Sequence, residues 1–403
     1  MIKRTEYLDQ LISFSDKQLI KVVMGIRRCG KSTLLELFRD ELIKSGVLES
    51  QITTINFEDA DNEHLMDRKV LYAHINERLI KDKMNYIILD EIQHVDAWQR
   101  VVDSLFIKKN CDVYITGSNA YLLSGELATL LSGRYVEIKM LPLSFAEYIS
   151  VLKDKTDLSR KYNSYLSNSS FPYALELNKP KDIRTYLDGI YTSVVLNDVV
   201  KRKKIADVSA LESVIRFMFD NIGNMNSAKS IADALTSGGR KISTHTVDSY
   251  LEALCDSFIL YKANRFDVKG KQYLKTGEKY YVADIGLRYY LLGSQKADMG
   301  RSLENVIYLE LLRRGSDVFI GKVGNNEVDF VTTNENGIAY YQVALTVRDE
   351  NTLARELRPL DSISDHNPKY LLTLDVEPST SHNGIRQINA LDWLLKENDL
   401  SML

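Results

Sequence analysis

The chain has 403 residues, more than one ordinary hydrophobic core accommodates, so two to three domains are expected. Its 44% hydrophobic and 27% charged residues exclude a disordered chain, and a net charge of −3 excludes a global field drawing the whole molecule to nucleic acid. Three widely spaced cysteines, Cys29, Cys111 and Cys255, argue against a disulfide framework and for a reducing compartment.

In chain order, EYLDQLISF (6–14) has apolar residues at helical spacing. LIKVVMGI (19–26) reads as a short buried strand and KSTLLELFRDELIK (31–44) as a helix. ITTINFED (52–59) is a second strand, KVLYAHINERLI (69–80) a helix and NYIILDEI (85–92) a third strand. CDVYITGSN (111–119) and RYVEIKMLPLS (134–144) give two more strands with a helical stretch between them. Strands alternating with helices of this length predict an α/β fold with a parallel sheet covered on both faces. From Ser144 to Lys204 the pattern is helical and tyrosine-rich. Between Asp207 and Gly293 it predicts three helices and a two-stranded hairpin, in the order of a winged helix. After Gly300 a new α/β pattern begins, with helix SLENVIYLELLRRG (302–315), strands DVFIGKV, NEVDFVTT and IAYYQVAL, then a helix and the strand KYLLTLD. The expected boundaries are 1–143 for a nucleotide-binding core, 144–206 for a helical lid, 207–295 for a winged helix and 296–403 for the last domain.

The first strand and helix are joined by GIRRCGKST, residues 25–33. A Gly-x4-Gly-Lys-Ser/Thr match in a chain of this length has a chance probability on the order of a per cent. Its place between a buried strand and a helix is the one a phosphate cradle needs. Gly25 and Gly30 let the backbone wrap a phosphate, and the N–H groups of Arg27, Arg28, Cys29 and Gly30 supply donors in front of a helix N-terminus. Lys31 is placed to reach β and γ phosphates, Ser32 to ligate Mg²⁺, and Thr33 to continue the first helical turn beside them. IILDE adds Asp90, a second holder of Mg²⁺ through water, and Glu91, a base for the attacking water. Thr116, Ser118 and Asn119 end the next strand, either as a γ-phosphate sensor or as a simple turn. Arg134 has two readings: stabilising transferring phosphate, in cis or on a neighbouring subunit, or a structural ion pair.

GIRRCGKSTLL, DEIQ, ITGSNAYLLSGELATLLSGR, LPLSFAEY and YYQVALTVRDENTLARELRPLDSI together resemble a prokaryotic AAA-type P-loop ATPase family related to the archaeal-type and STAND-like NTPases. The resemblance covers nearly the whole chain. It implies a five-strand sheet with an extra strand beside the Asp-Glu strand, a helical lid, a winged helix, and a C-terminal restriction-endonuclease-like domain of unknown function. It also implies ATP as the nucleotide, and a Gly-x-Pro element near the adenine, for which SNSSFPYAL around Pro172 is the counterpart.

The helix-turn-helix segment suggests DNA, yet the outward face of its second helix carries Asp248, Glu252 and Asp256, which repel phosphates. The hairpin is basic: Lys262, Arg265, Lys269, Lys271, Lys275 and Lys279. It either contacts a nucleic-acid backbone or serves as packing between domains. KRKK at 201–204 is either a solvated helix end or brings Arg202 toward the nucleotide. In the last domain a restriction-like nuclease needs a helix acid, a strand Asp and a Glu-x-Lys on the next strand. Glu304 and Asp329 fall in place with Glu327 nearby, but Gln342-Val343-Ala344 stands where the Glu-x-Lys belongs. A degenerate, non-cleaving domain is expected. No apolar run approaches the ~18 residues of a membrane span, and the first ten residues carry no apolar signal core. A cytoplasmic ATPase is expected, its nucleotide state rearranging the later domains. The rival readings are a slow NTP-dependent switch and a DNA-binding or DNA-cleaving effector.

Overall fold

The computed structural model describes residues 2–120, 133–270, 272–293 and 298–396. The chain divides into two compact units, Met1–Leu141 with Asp256–Phe258, and Pro142–Cys255 with Ile259–Leu403.

The first unit opens with helix α1 (Thr5–Ser13). Among its described residues it holds parallel strands β1 (Ile20–Met24), β2 (Ile52–Asn56), β3 (Asn85–Asp90), β4 (Cys111–Gly117) and β5 (Tyr135–Lys139) in the order β2-β3-β4-β1-β5. Every residue of β1 and β3 is buried, as expected of central strands covered on both faces, whereas β2 and β5 at the edges are more open. Helices α2 (Lys31–Lys44), α3 (Arg68–Arg78) and α4 (Trp98–Phe106) connect the strands. In α2, Leu34, Leu35, Phe38 and Leu42 repeat at helical spacing and are buried, with the Phe38 ring 4.6 Å from that of Tyr114 on β4. Trp98, Val101, Val102 and Leu105 do the same for α4. Truncating such a residue, as in Leu105→Ala, costs about 2–5 kcal/mol through lost transfer energy and the cavity left behind. The β3 strand sits between β2 and β4, so β4 separates the Asp-Glu strand from β1, as the resemblance implies. The helical stretch expected between β4 and β5 falls on residues 121–132, outside the described ones.

The second unit begins with helices α5 (Phe145–Ser150), α6 (Leu158–Asn168) and α7 (Pro180–Ile190), a π-helical segment over Tyr191–Asp198, and α8 (Val199–Lys203). Tyrosines hold this part together: the Phe145 ring lies 5.4 Å from Tyr162 and 5.6 Å from Tyr165. Of Arg202 in α8 only the backbone is described. Helices α9 (Val208–Asp220), α10 (Ala228–Ser237) and α11 (Thr244–Asp256) precede a hairpin of β6 (Leu260–Asp267) and β7 (Gln272–Val282). Then come α12 (Ile285–Leu292), α13 (Met299–Arg313), β8 (Asp317–Val323), β9 (Asn326–Asn334), β10 (Gly337–Ala344), α14 (Glu350–Asp361), β11 (Lys369–Thr373), β12 (Thr380–His382), β13 (Ile385–Asn389) and α15 (Ala390–Leu395).

The hairpin departs from the expectation. It is not a free wing: β6 pairs in parallel with β8, Phe266 opposite Gly321, and the described strands join in one sheet of order β12-β13-β11-β10-β9-β8-β6-β7. The sheet therefore runs straight through the boundary expected at 295/296. Gly321 permits this crowding, since a Cβ there would lie 2.8 Å from a Val331 methyl and 2.9 Å from Val328 Cβ. Phe266 and Val268 then bury against Val323, Val328, Val331, Leu360 and Leu371 in one apolar core. No helix among the described residues is long and apolar enough to cross a membrane.

Candidate nucleotide site

Because the strands are parallel, Gly25 after β1, Glu91 after β3 and Ser118 after β4 all emerge at one edge of the sheet. In open α/β sheets this carboxyl edge is where ligands bind. Gly25 cannot be replaced, because a Cβ would sit 2.1 Å from the Met140 carbonyl oxygen. Arg28 (φ 68°) and Gly30 (φ 103°) are left-handed, which curls residues 25–30 into a loop ahead of α2. The Cys29 side chain is fully buried, so this residue offers the loop's concave face only its backbone; burial also raises its thiol above the usual range. The Arg27 guanidinium lies 3.1 Å from Glu58 after β2, and Arg28 is exposed.

Lys31 opens α2 and is 4% exposed, its Nζ 3.1 Å from the Gly25 carbonyl oxygen and 3.4 Å from Glu91 Oε1. Ser32 is exposed at the helix N-terminus and Thr33 half-buried. Glu91 takes a left-handed φ of 53°, a strained state for a non-glycine residue of the kind that collects at functional positions. Burial alone would raise its carboxyl, but Lys31, Gln93 and Arg27 outweigh it and hold it below the usual range. The Thr116 hydroxyl accepts from the Glu91 N–H at 2.8 Å and donates to Asp90 Oδ1. One hydroxyl therefore fixes both acids, so of the three polar residues ending β4 Thr116 acts as a strut. Ser118 and Asn119 are buried just after this strand, which lies between β1 and β3.

Arg134 does not join this group. Tyr135 pairs with Ile20, so Arg134 lies at the amino edge of the sheet, roughly 15 Å of strand away from the loop. Its guanidinium lies 2.6 Å from Asp103 on α4 and stacks over Phe106. A role in cis at its own loop is thereby overturned by strand direction. Pro172 lies in the second unit and starts a short 3₁₀ turn. Ser169 before it has φ 84°, the conformation for which a glycine is usual, and Gly286 packs so closely that a Cβ there would meet Ser169 Cα at 2.5 Å. Asp284 accepts from Ser170 N–H at 2.6 Å and from its hydroxyl at 2.7 Å.

One residue escaped the sequence reading. Arg4 is 4% exposed and donates to the carbonyls of Cys29, at 2.9 Å, and Leu141, at 2.6 Å. Its guanidinium ties the loop to the backbone just after β5. A lone arginine ahead of an amphipathic helix gave no sign of this.

A family described as an AAA domain matches residues 17–149, and a domain of unknown function matches 159–298. An uncharacterized protein of Haemophilus influenzae is 41% identical over 98% of this chain and 99% of its own length. The chain belongs to the AAA-type P-loop ATPases. An uncharacterized protein of Methanocaldococcus jannaschii is 33% identical over 79% of this chain and 73% of its own length. The fold of this AAA-type ATPase is also similar to that of a Walker-type ATPase of Pyrococcus abyssi, with a TM-score of 0.51 and 13% identity over 72% of this chain and 96% of that one. The second match spans the boundary expected at 206/207, so the helices read as a lid and those read as a winged helix fall in one family segment.

Proposed function

We propose that the chain binds ATP at residues 25–33 and hydrolyses it, and that the nucleotide state rearranges the second unit. One observation carries this reading: the Thr116 hydroxyl fixes both Asp90 and Glu91, with Glu91 facing Lys31 across 3.4 Å. Lys31 meets the β and γ phosphates, while the loop N–H groups and the α2 N-terminus supply the remaining positive potential. Asp90, held by Thr116, and the exposed Ser32 hydroxyl are hard oxygen donors of the kind Mg²⁺ takes, and the ion would neutralise charge on the transferring phosphoryl group. Glu91 orients the water and takes its proton. Ser118 and Asn119 sense the γ phosphate. Arg134 acts on a neighbouring subunit, since its position favours trans over cis.

The later segments are read as a winged-helix-like module and a degenerate restriction-endonuclease-like domain. DNA binding through the hairpin loses support. Lys279 is buried, and Lys262 is paired with Glu278 at 2.5 Å. Arg265 is half-buried, Lys271 lies outside the described residues, and of Lys275 only the backbone is described. Lys269 remains exposed. The test is ATP hydrolysis by the full chain against its Lys31→Ala and Glu91→Gln variants, with and without Mg²⁺ and DNA. Hydrolysis that persists in both variants overturns the reading.

A further inference from the structure

A second charged cluster lies wholly within the second unit and is independent of the nucleotide site. On β7, Lys279 and Tyr281 are two residues apart and share one face of the strand. Both reach the same acid on α13. Lys279 Nζ is 3.0 Å from Glu304 Oε1, and the Tyr281 hydroxyl donates to that oxygen at 2.7 Å. Lys279 Nζ is also 2.8 Å from Glu327 Oε1 on β9. Asp329 follows two residues later on the same face of β9 and accepts from the Val343 N–H at 2.8 Å. Gly223 also packs on the Glu304 carboxylate, where a Cβ would lie 3.1 Å from Oε2.

The ammonium is only 4% exposed. Burial by itself would lower its pKa, but Glu304, Asp329 and Glu327 outweigh burial and raise it, so the lysine stays charged. One helix acid and one strand acid, Glu304 and Glu327, meet on this ammonium, with Asp329 two residues further along β9. The strand that should complete the group, β10, brings no charge. The Gln342 side chain is spent on neighbours, its Oε1 accepting from the Asp329 N–H at 3.4 Å and its Nε2 donating to Glu356 at 2.9 Å. Ala344 packs against the apolar core. The positive charge comes instead from the hairpin, and it can come from there because β6 and β7 belong to the same sheet as β9 and β10.

We propose that the Lys279 ammonium is the resident cation of the Glu304–Glu327–Asp329 pocket, standing where a divalent metal would otherwise balance these acids, and that removing it turns the pocket into a divalent-cation site. A free ion must displace a tethered, correctly placed ammonium, and tethering gives Lys279 the high effective concentration of an intramolecular partner. The same contacts pin the hairpin to α13 and β9, so the lysine serves as a staple as well as a counter-charge.

The experiment uses the nucleotide-free full chain and Mn²⁺ alone, followed by the EPR signal of free Mn²⁺ and by thermal unfolding. Lys279→Met is expected to take up an additional Mn²⁺ per chain relative to the parent, and adding Glu327→Gln to that variant should remove it. The Lys279→Met melting midpoint should fall without metal and recover with Mn²⁺, while the parent midpoint stays unmoved. Lys279→Gln should behave in the same way. The proposal is overturned if the parent already binds Mn²⁺ in a manner lost in Glu327→Gln, or if neither lysine variant takes up additional metal. Variants that fold neither with nor without Mn²⁺ overturn it equally, because it makes ammonium and metal interchangeable as counter-charge.

Discussion

Lys31 Nζ lies 3.4 Å from Glu91 Oε1, with both side chains almost sealed from solvent. The lysine read as the phosphate ligand and the acid read as the base for water thus neutralise each other, and a nucleotide bound as proposed would separate them. Glu91→Gln is expected to bind ATP at least as tightly as the parent, because it frees Lys31 and removes a negative charge beside the phosphates. Its hydrolysis should fall by about 10²–10⁴, the usual contribution of a positioned base. Lys31→Ala should lose ATP binding. Calorimetric titration and phosphate release measure the two effects, and unchanged turnover in Glu91→Gln would sink the assignment.

Thr116→Val keeps the shape of the side chain and removes the hydroxyl that joins Asp90 to the Glu91 N–H. The Glu91 N–H is left buried without this partner, a loss of about 1–3 kcal/mol. Turnover is expected to fall by roughly ten- to hundredfold while ATP affinity changes little, because the loop and Lys31 are untouched. Thr116→Ser, which keeps the hydroxyl, should recover most of the rate. A Val variant with parental turnover would show that the strut is idle.

Arg134 and Asp103 form a partly exposed pair, with the two side chains 44% and 28% accessible. Such pairs contribute no more than about 1 kcal/mol. Arg134→Ala should therefore scarcely change the melting midpoint. If Arg134 serves a neighbouring subunit, the variant should lose turnover, and mixing it with Lys31→Ala chains should restore activity, since each supplies what the other lacks. A rate per chain that is independent of concentration, in a protein that stays monomeric with ATP, argues conclusively against action in trans.

Burial, with Glu304 beside it, pushes the Asp329 carboxyl up to about 8. An acid whose folded pKa lies above its unfolded value of about 3.9 stabilises the fold when protonated. That contribution is complete below the unfolded value and is lost as the pH rises through the folded one. The melting midpoint is expected to decline between about pH 4 and pH 8 more steeply in the parent than in Asp329→Asn, which cannot ionise. Parallel profiles for the two proteins would remove Asp329 as the cause.

Much of the candidate nucleotide site was legible because its signals are local. Gly25, Gly30, Lys31 and Ser32 lie within eight consecutive residues, and Asp90-Glu91 closes an apolar run. What was hidden depends on partners distant in sequence. The Arg4 contacts come 25 and 137 residues later. Arg134 kept two readings, phosphate contact or a structural ion pair, because spacing does not reveal which edge of a sheet a residue occupies; the register with Ile20 places it at the amino edge. Lys279 looked like one more basic side chain of an exposed wing. Its acids stand on α13 and β9, and only the pairing of β6 with β8 brings them to it. The alternation Lys279-x-Tyr281 announced a shared face, but not that the face was inward.

The pairing of β6 with β8 also governs how the chain can be divided. A fragment starting near residue 296, cut where the sequence invites a boundary, would strip β6 and β7 from the sheet and leave β8 as a raw edge. That strand, DVFIGKV, buries Val318, Ile320, Gly321 and Val323. Its unpaired backbone groups and apolar side chains would offer a template for another chain, so the isolated fragment should precipitate or dimerise edge to edge. A fragment beginning before Asp207 keeps its own hairpin as a cover, and soluble expression of the second half of this protein depends on carrying that cover along.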